Sequence, residues 1–317
     1  MGAAPVPTGK AARSHPLLLI PSTPDHQEQP MRLQDYDTSR RHHATVVSTT
    51  RITPESSAEE VRELELDLDA TGLGIEPGQS IGVLAPGDPA FGQEHHFRLY
   101  TVADLPEELE GNRTRIRIAV KRCFYIDPYS GERYPGRASN YLCDRAVGDV
   151  IEVAGPYGMP FEVPEEKDAN LILIGAGTGI APFRAFVKHL YHNVPEFTGR
   201  VILFHGAHTG VDLLYRNDER DDFAQYYDRD TFEAINALAR RPGWSDAIDW
   251  EQAMDPQGAA LWKMIEGPWT YVYVAGHEKI LDELDRVFSR LAGSPERWAR
   301  RKAELEAGGR WVELVYA

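Results

Sequence analysis

The 317 residues carry 34 Lys and Arg against 49 Asp and Glu, a net charge of −15 at pH 7, which excludes a general affinity for nucleic-acid backbones and for anionic membrane surfaces. Hydrophobic residues at 42% and charged residues at 26% are the proportions of a chain that buries a core, and the length suffices for two domains. The two cysteines, Cys123 and Cys143, are too few for a disulfide scaffold or an ordinary iron–sulfur cluster, and they point to a reducing, cytoplasmic compartment. The apolar stretch 17–20 is cut by Pro16 and Pro21, so no membrane insertion is expected.

Residues 1–30 hold six prolines and little periodicity and read as an irregular tail. Lys10 and Arg13, with no acid before Asp25, leave a targeting segment as the alternative. From 31 to 163 the signals are strand-like. Leu64, Leu66 and Leu68 alternate with Glu63, Glu65 and Asp67, and Ile116, Ile118 and Val120 alternate with Arg115, Arg117 and Lys121. That period belongs to antiparallel strands with one wet face. Breaks at Pro77-Gly78 and Pro86-Gly87, without long helices, predict a closed or nearly closed β-barrel. From 164 to 317 the apolar runs 171–174, 201–204 and 271–275 are each followed by glycine and a helix-length segment. This predicts an α/β parallel-sheet domain and an α+β two-domain chain overall.

Three stretches carry chemistry. Arg98-Leu99-Tyr100-Thr101 lies in an alternating segment, with Arg98 and Tyr100 on one side and Thr101 opposite or at a bend. A guanidinium, an aromatic ring and a hydroxyl suit a phosphate, a planar ring and a hydrogen bond, although wet strand faces often carry Arg and Tyr. Gly136, followed by Ser139-Asn140 before a short helical turn, offers amides and a hydroxyl to an anion; a capped helix is the alternative. Leu171-Ile172-Leu173-Ile174-Gly175 reads as a buried parallel strand, Gly175-Ala176-Gly177-Thr178-Gly179 as a turn, and the segment bearing Phe183, Phe186, Val187 and Leu190 as an amphipathic helix. Strand, glycine-rich turn and helix in that order make an anion cradle. The spacing is not G-x-G-x-x-G, and a tight turn without a ligand is the alternative.

No metal site is predicted. His42 and His43 on a strand point to opposite faces, and neither they nor Glu94-His95-His96 has a second half-site at helical spacing. The basic residues Arg286, Arg290, Arg297, Arg300, Arg301 and Lys302 read as a solvated helix face, with docking of an acidic partner as the alternative.

Taken in order, Arg98-Leu99-Tyr100-Thr101, Val120-Lys121-Arg122 with Tyr125, Gly136-x-x-Ser139-Asn140, Gly155-Pro156-Tyr157-Gly158 and Gly177-Thr178-Gly179-Ile180-Ala181-Pro182-Phe183-Arg184 resemble the plant-type ferredoxin–NADP reductase family. The resemblance extends through Leu213-Leu214-Tyr215, Tyr271-Val272-Tyr273-Val274-Ala275-Gly276 and a closing Trp311…Tyr316, and covers the chain from about residue 42.

The resemblance implies an FAD-binding barrel followed by an NADP-binding α/β domain, transferring hydride between NADP(H) and flavin and single electrons to ferredoxin or flavodoxin. It implies that Arg98 contacts the FAD pyrophosphate, Tyr100 stacks on the isoalloxazine and Thr101 stands near flavin N5, where the family usually has serine. Tyr125 falls near the adenosine part of FAD, Ser139 at its diphosphate, and Lys121 near the nicotinamide nucleotide phosphates. Gly177, Thr178, Gly179 and Pro182 line the NADP pyrophosphate. Ala119, Gly136, Ala138, Gly206 and Gly276 are further cofactor-binding positions implied in the same way.

Three departures accompany it. Ala275 replaces the family's cysteine beside the nicotinamide. Tyr316, the implied flavin-covering lid, is followed by Ala317, and Glu313 falls one residue early against the near-terminal glutamate. The Ser-Arg pair for the NADP 2′-phosphate becomes Ala239-Arg240-Arg241, for which a solvated turn is the alternative. Two other functions stay open: an NAD(P)H-dependent reductase component of an oxygenase, and a low-turnover flavin- or nucleotide-binding subunit of a larger complex.

Overall fold

The computed structural model describes residues 33–70, 72–241 and 246–316; the proline-rich stretch 1–30 lies outside them. Leu33–Asp35 form one 3-10 turn, and the chain from Asp37 onward folds as one unit.

The first half consists of β1 (Arg41–Arg51), β2 (Val61–Leu68), β3 (Ser80–Pro86), β4 (His95–Thr101), β5 (Glu107–Leu109) and β6 (Arg113–Lys121). A separate ribbon of β7 (Phe124–Ile126) and β8 (Arg133–Pro135) follows, then α1 (Arg137–Cys143) and β9 (Val150–Tyr157). The antiparallel sheet has the order β4-β3-β9-β1-β2-β6-β5. A bridge between Val102 and Ile118 brings the end of β4 back against β6, so the sheet curls to near closure as the alternation predicts. Its interior is filled by Val46, Leu64, Leu66, Ile81, Val83, Ile116 and Ile118.

The expected wet face is only partly wet. Glu63 and Asp67 are buried. Asp67 accepts from Arg115 Nε at 2.6 Å and Arg113 Nη1 at 3.2 Å, while Glu63 is covered by arginines from the second layer. Alternation specifies a face, but not what later comes to cover it.

That second layer contains β10 (Asn170–Ala176), α2 (Ala181–Asn193), β11 (Val201–Ala207), a ribbon of β12 (Arg216–Asn217) and β13 (Arg220–Asp221), and β14 (Phe232–Leu238). It continues through α3 (Trp250–Met254), α4 (Gly258–Glu266), β15 (Thr270–His277), α5 (Lys279–Ala292), α6 (Pro295–Ala307) and β16 (Trp311–Tyr316). The five parallel strands run β14-β11-β10-β15-β16. Both faces are dry, packed by Phe183, Phe186 and Tyr215 on one side and Trp250, Phe288 and Trp298 on the other, which is why 171–174 is uninterruptedly apolar.

Two sequence expectations are corrected. No α-helix lies between β11 and β14, only the 3-10 turns Gly210–Asp212 and Ala224–Tyr226. Instead Leu213, Leu214 and Tyr215 are buried and lead through the β12–β13 ribbon to β14, so burial of these side chains replaces a helical crossover. The basic C-terminal stretch is two helices, separated where Gly293 takes φ 86° and Ser294 caps α6 through the Arg297 amide at 3.2 Å. Its charges are largely matched: Arg290 pairs with Asp255, Arg297 with Glu266, Arg301 with Glu304 and Lys302 with Asp285.

The two layers are tied by a buried ion cluster. Asp104, just past β4 and 2% exposed, meets Arg117 at 2.7 Å, Arg184 at 3.0 Å and Lys188 at 2.7 Å. Arg184 also reaches Asp222 at 2.5 Å and donates to the Ala103 carbonyl at 2.9 Å. Arg220 joins Glu63 at 3.1 Å.

His205 on β11 is fully buried, with neither ring nitrogen hydrogen-bonded to a described residue. Burial, reinforced by Arg216, pushes its pKa down to about 3. The folded state therefore keeps it neutral while the unfolded chain takes up a proton below about pH 6.5. Its share of stability is complete above that pH and is lost on acidification at up to about 1.4 kcal/mol per pH unit. His205→Leu is expected to flatten the denaturant midpoint between pH 6.5 and 5; an unchanged slope counts against the burial argument.

Candidate functional site

In an open parallel sheet, ligands settle at the carboxyl ends of the strands where the strand order reverses. Here β10 is the first strand; β11 and β14 extend from it one way, β15 and β16 the other, so the reversal lies between β10 and β15. Ala176 leads from β10 into the 3-10 turn Gly177–Ile180 and then α2, and no side chain caps either start. Gly177 has φ 55° and open space where a β-carbon would stand. Gly179 lies so close to β15 that a β-carbon would fall 2.2 Å from the Ala275 carbonyl oxygen.

A cavity of about 690 Å³ opens at this point and is lined from both layers, a volume in the range of small-molecule sites. The barrel contributes Arg98, Tyr100 and Thr101 from β4, Ala119 and Lys121 from β6, Tyr125 from the ribbon, and Gly136, Ala138 and Ser139 at α1. The α/β layer contributes Thr178, Gly179, Pro182, Ala275, Gly276 and Tyr316. Positions drawn from across the sequence thus converge on one space.

The polar atoms define its chemistry. Arg98 donates from Nη1 to the Phe97 carbonyl at 2.8 Å and has no carboxylate partner among the described residues, which leaves an uncompensated cation for an anion to meet. Burial raises the pKa of the Tyr100 phenol, so it stays protonated. Thr101 shares a 3.0 Å hydrogen bond with Ser80. Ser139 Oγ accepts from the Cys123 amide at 3.2 Å and donates to the Gly136 carbonyl at 3.3 Å, holding the loop before α1. Tyr125 and Tyr134 stack at 5.3 Å between centroids. Lys121 is paired with Glu59. Tyr316 is 48% exposed; its hydroxyl is 3.5 Å from Thr178 Oγ1 and its ring meets His277 edge-on at 5.8 Å.

Three expected positions lie elsewhere. Gly177 is in the turn but outside the lining. Gly206 sits under Trp250, whose ring would be 2.4 Å from a β-carbon there. Arg240 is 67% exposed and ion-paired with Asp249 beside a second, smaller cavity. Sequence reasoning did not single out Arg137 or Asp88, and weighed His96 only as a metal ligand; all three line the large cavity. Arg137 bridges to Asp88 at 2.7 Å and to the Gly87 carbonyl at 3.0 Å, and no periodicity marks that contact. Cys123 is unpaired and also lines the cavity, while Cys143 is unpaired and buried.

His43 lies 3.3 Å from Asp69 and His95 lies 2.8 Å from Arg41. Among the described residues no cluster of three His, Cys, Asp or Glu is placed to hold a metal. No helix among them is long and apolar enough to cross a membrane.

The fit to a dinucleotide is therefore good on three counts: an unneutralised guanidinium, an uncapped helix start behind a left-handed glycine, and aromatic faces in one cavity.

Comparison with known proteins agrees. Residues 44–161 match the oxidoreductase FAD-binding domain family, and residues 173–284 the oxidoreductase NAD-binding domain family. A ferredoxin–NADP reductase from a Picosynechococcus species is 30% identical over 278 residues, 85% of this chain and 68% of that one. One from a Synechocystis species is 29% identical over 81% of this chain and 63% of its own length. The chloroplastic leaf isozyme 1 of Oryza sativa subsp. japonica is 31% identical over 75% of this chain and 67% of its own. The solved structure of ferredoxin–NADP+ reductase from Plasmodium falciparum superposes with a TM-score of 0.65 at 19% identity, covering 89% of this chain and 98% of that one, and shows the shared fold. The chain belongs to the ferredoxin–NADP reductase family of FAD- and NAD(P)-binding oxidoreductases.

Proposed function

We propose that this protein carries electrons between NADP(H) and a one-electron carrier protein, ferredoxin or flavodoxin, by way of FAD held in the large cavity. The observation that carries the reading is that single cavity, lined by Arg98 and Tyr100 from the barrel and by Thr178, Gly179 and Ala275 from the α/β layer. When bound, FAD supplies the redox chemistry, taking hydride from a reduced nicotinamide and giving up electrons singly.

The protein's part is binding, alignment and exclusion of water. Arg98 takes a cofactor phosphate, Tyr100 offers a ring face, and Ser139 holds the loop before α1 in place. Thr101, tied to Ser80, presents a hydroxyl whose direction is set before any ligand arrives. Gly177 and Gly179 let backbone amides reach the pyrophosphate of the nucleotide substrate. Gly136, Ala138, Ala119 and Gly276 keep the cavity walls free of bulk, and Tyr125 offers an adenine-sized ring. Lys121, paired with Glu59 through one contact, keeps further N–H donors for a cofactor phosphate. Ala275 puts a methyl in the cavity wall at the position where the family usually has a cysteine thiol. Cytoplasmic placement belongs to the same proposal and rests on the two unpaired cysteines.

The test is an absorbance spectrum of the purified chain with the released cofactor identified, followed by stopped-flow reduction with NADPH and NADH and coupling to reduced-carrier formation with ferredoxin and flavodoxin. A flavin spectrum from FAD and carrier reduction support the proposal. A colourless chain that does not take up FAD overturns it.

The Tyr316 side chain is held by one long hydrogen bond and one ring edge, which suits a lid that the nicotinamide displaces. Its displacement works against binding. Tyr316→Ser is expected to tighten NADP+ about tenfold or more in difference-spectral titrations; an unchanged affinity removes the lid role.

A further inference from the structure

Beside the C-terminal end of β14 lies a cavity of about 390 Å³ whose charged lining consists of three guanidiniums, Arg240, Arg241 and Arg286, and four carboxylates, Asp246, Asp249, Glu251 and Glu283. It carries one net negative charge, the reverse of what a site built for a phosphate dianion presents.

The pairing is specific. A bridge between Ala239 and Ile248, together with the Asp249 amide donating to the Leu238 carbonyl at 3.1 Å, brings 239–241 alongside 246–249. Arg241 then grips Asp246 with two bonds, Nε to Oδ2 at 2.8 Å and Nη2 to Oδ1 at 3.1 Å. Arg240 Nε donates to Asp249 Oδ2. Asp249 is 8% exposed, and its other oxygen accepts from the Gln252 amide at 3.0 Å, capping α3. The Asp249 carboxylate is thus anchored on both sides.

A phosphate that takes the Nε–Nη2 edge of Arg241 has to displace Asp246, and one that meets the other donors of Arg240 sits beside the Asp249 carboxylate. Arg286, which donates to the Asp282 carbonyl, has no carboxylate partner among the described residues. Asp249 cannot swing away without uncapping α3, so it stays as a repelling charge beside any phosphate that arrives. A ribose bearing a free 2′-hydroxyl meets no such conflict, because a carboxylate accepts its hydrogen bond.

On the reading that this cavity takes the adenosine end of the nucleotide, we propose that Asp246 and Asp249 are specificity-determining residues that compete with the 2′-phosphate for Arg241 and Arg240. The chain therefore distinguishes NADPH from NADH only weakly. The Arg240-Arg241 pair, read by itself, points to a phosphate site; the two carboxylates that follow it reverse the balance.

The test is isothermal titration of the purified FAD-loaded chain with 2′,5′-ADP and with 5′-ADP, for the native protein and for D246N, D249N and R240Q/R241Q. Asn caps a helix about as well as Asp, so D249N removes charge while keeping α3, which a thermal melt verifies. The native protein is expected to bind the two ligands within about tenfold of each other. D246N and D249N are each expected to raise 2′,5′-ADP affinity about tenfold, the gain of one charge-assisted contact, and to leave 5′-ADP nearly unchanged.

If the Asn variants leave the ratio unmoved while R240Q/R241Q weakens 2′,5′-ADP, the cavity does bind phosphate and the competition is overturned. If none of the variants affects either ligand, the reading of the cavity as the adenosine site falls, and the inference falls with it. A native preference for 2′,5′-ADP beyond about a hundredfold, some 2.7 kcal/mol, overturns it as well.

Discussion

Asp104→Ala is expected to destabilise the protein by about 3–5 kcal/mol, the cost of leaving buried charges without a partner. The carboxylate is 2% exposed and balances Arg117, Arg184 and Lys188, and alanine removes the group that joins Arg117 of the barrel to Arg184 and Lys188 of the α/β layer. Burial by itself raises the pKa of the Asp104 carboxyl, but Arg184 and Lys188 outweigh it and hold the group below the ordinary carboxylate range. Its contribution is therefore present above about pH 4 and is lost as the pH falls below that range. Denaturant melts of native and variant chains at pH 7 and at steps below pH 4 measure both effects. A loss under about 1 kcal/mol at pH 7 returns the cluster to the rank of an ordinary surface pair.

The consequence reaches function through geometry. Asp104 lies three residues beyond Thr101, and Arg184 lies five residues beyond Gly179. The cluster thus ties the strand that carries Arg98, Tyr100 and Thr101 to the helix behind the glycine turn. Loosening it is expected to slow reduction by NADPH more than it weakens FAD binding, because the distance between the two halves of the cavity is what it sets.

Gly179→Ala is expected to weaken nicotinamide nucleotide binding by about 10- to 100-fold, equivalent to the 1–3 kcal/mol of an overpacked site. The reason is close approach. A β-carbon at 179 stands 2.2 Å from the Ala275 carbonyl oxygen and 2.7 Å from the Gly276 amide nitrogen, and both are backbone atoms that no rotamer change can move. The turn has to lift away from β15, carrying its amides off the pyrophosphate. The flavin spectrum is expected to survive, since Arg98, Tyr100 and Ser139 belong to the barrel. Equal affinity of variant and native protein for NADP+ refutes the argument, and loss of FAD together with the nucleotide shows that the turn supports the barrel side too.

The neighbouring Ala275 and Gly276 show how far local patterns reach. The apolar run 271–275 ending in glycine reveals a buried strand, yet nothing in it says that the strand meets Gly179, almost a hundred residues earlier. That contact exists because β15 lies beside β10 in the sheet, with Gly175 opposite Ala275. Likewise Arg240-Arg241 looks like a phosphate site as a string of residues. The structure presents it with Asp249 and Asp246 already bound.

By itself the sequence determined the alternating strands of the barrel, the strand–glycine turn–helix at 171–190, and the order of motifs that marks the family, because these follow from the local side-chain period and backbone freedom of neighbouring residues. It left open the burial of Glu63 and Asp67, the ion cluster around Asp104, and the pairing of Arg240 and Arg241 with acids. Only the tertiary structure decided those. A side chain's charge is written in its identity, but its energy depends on what covers it, and the covering atoms come from distant parts of the chain.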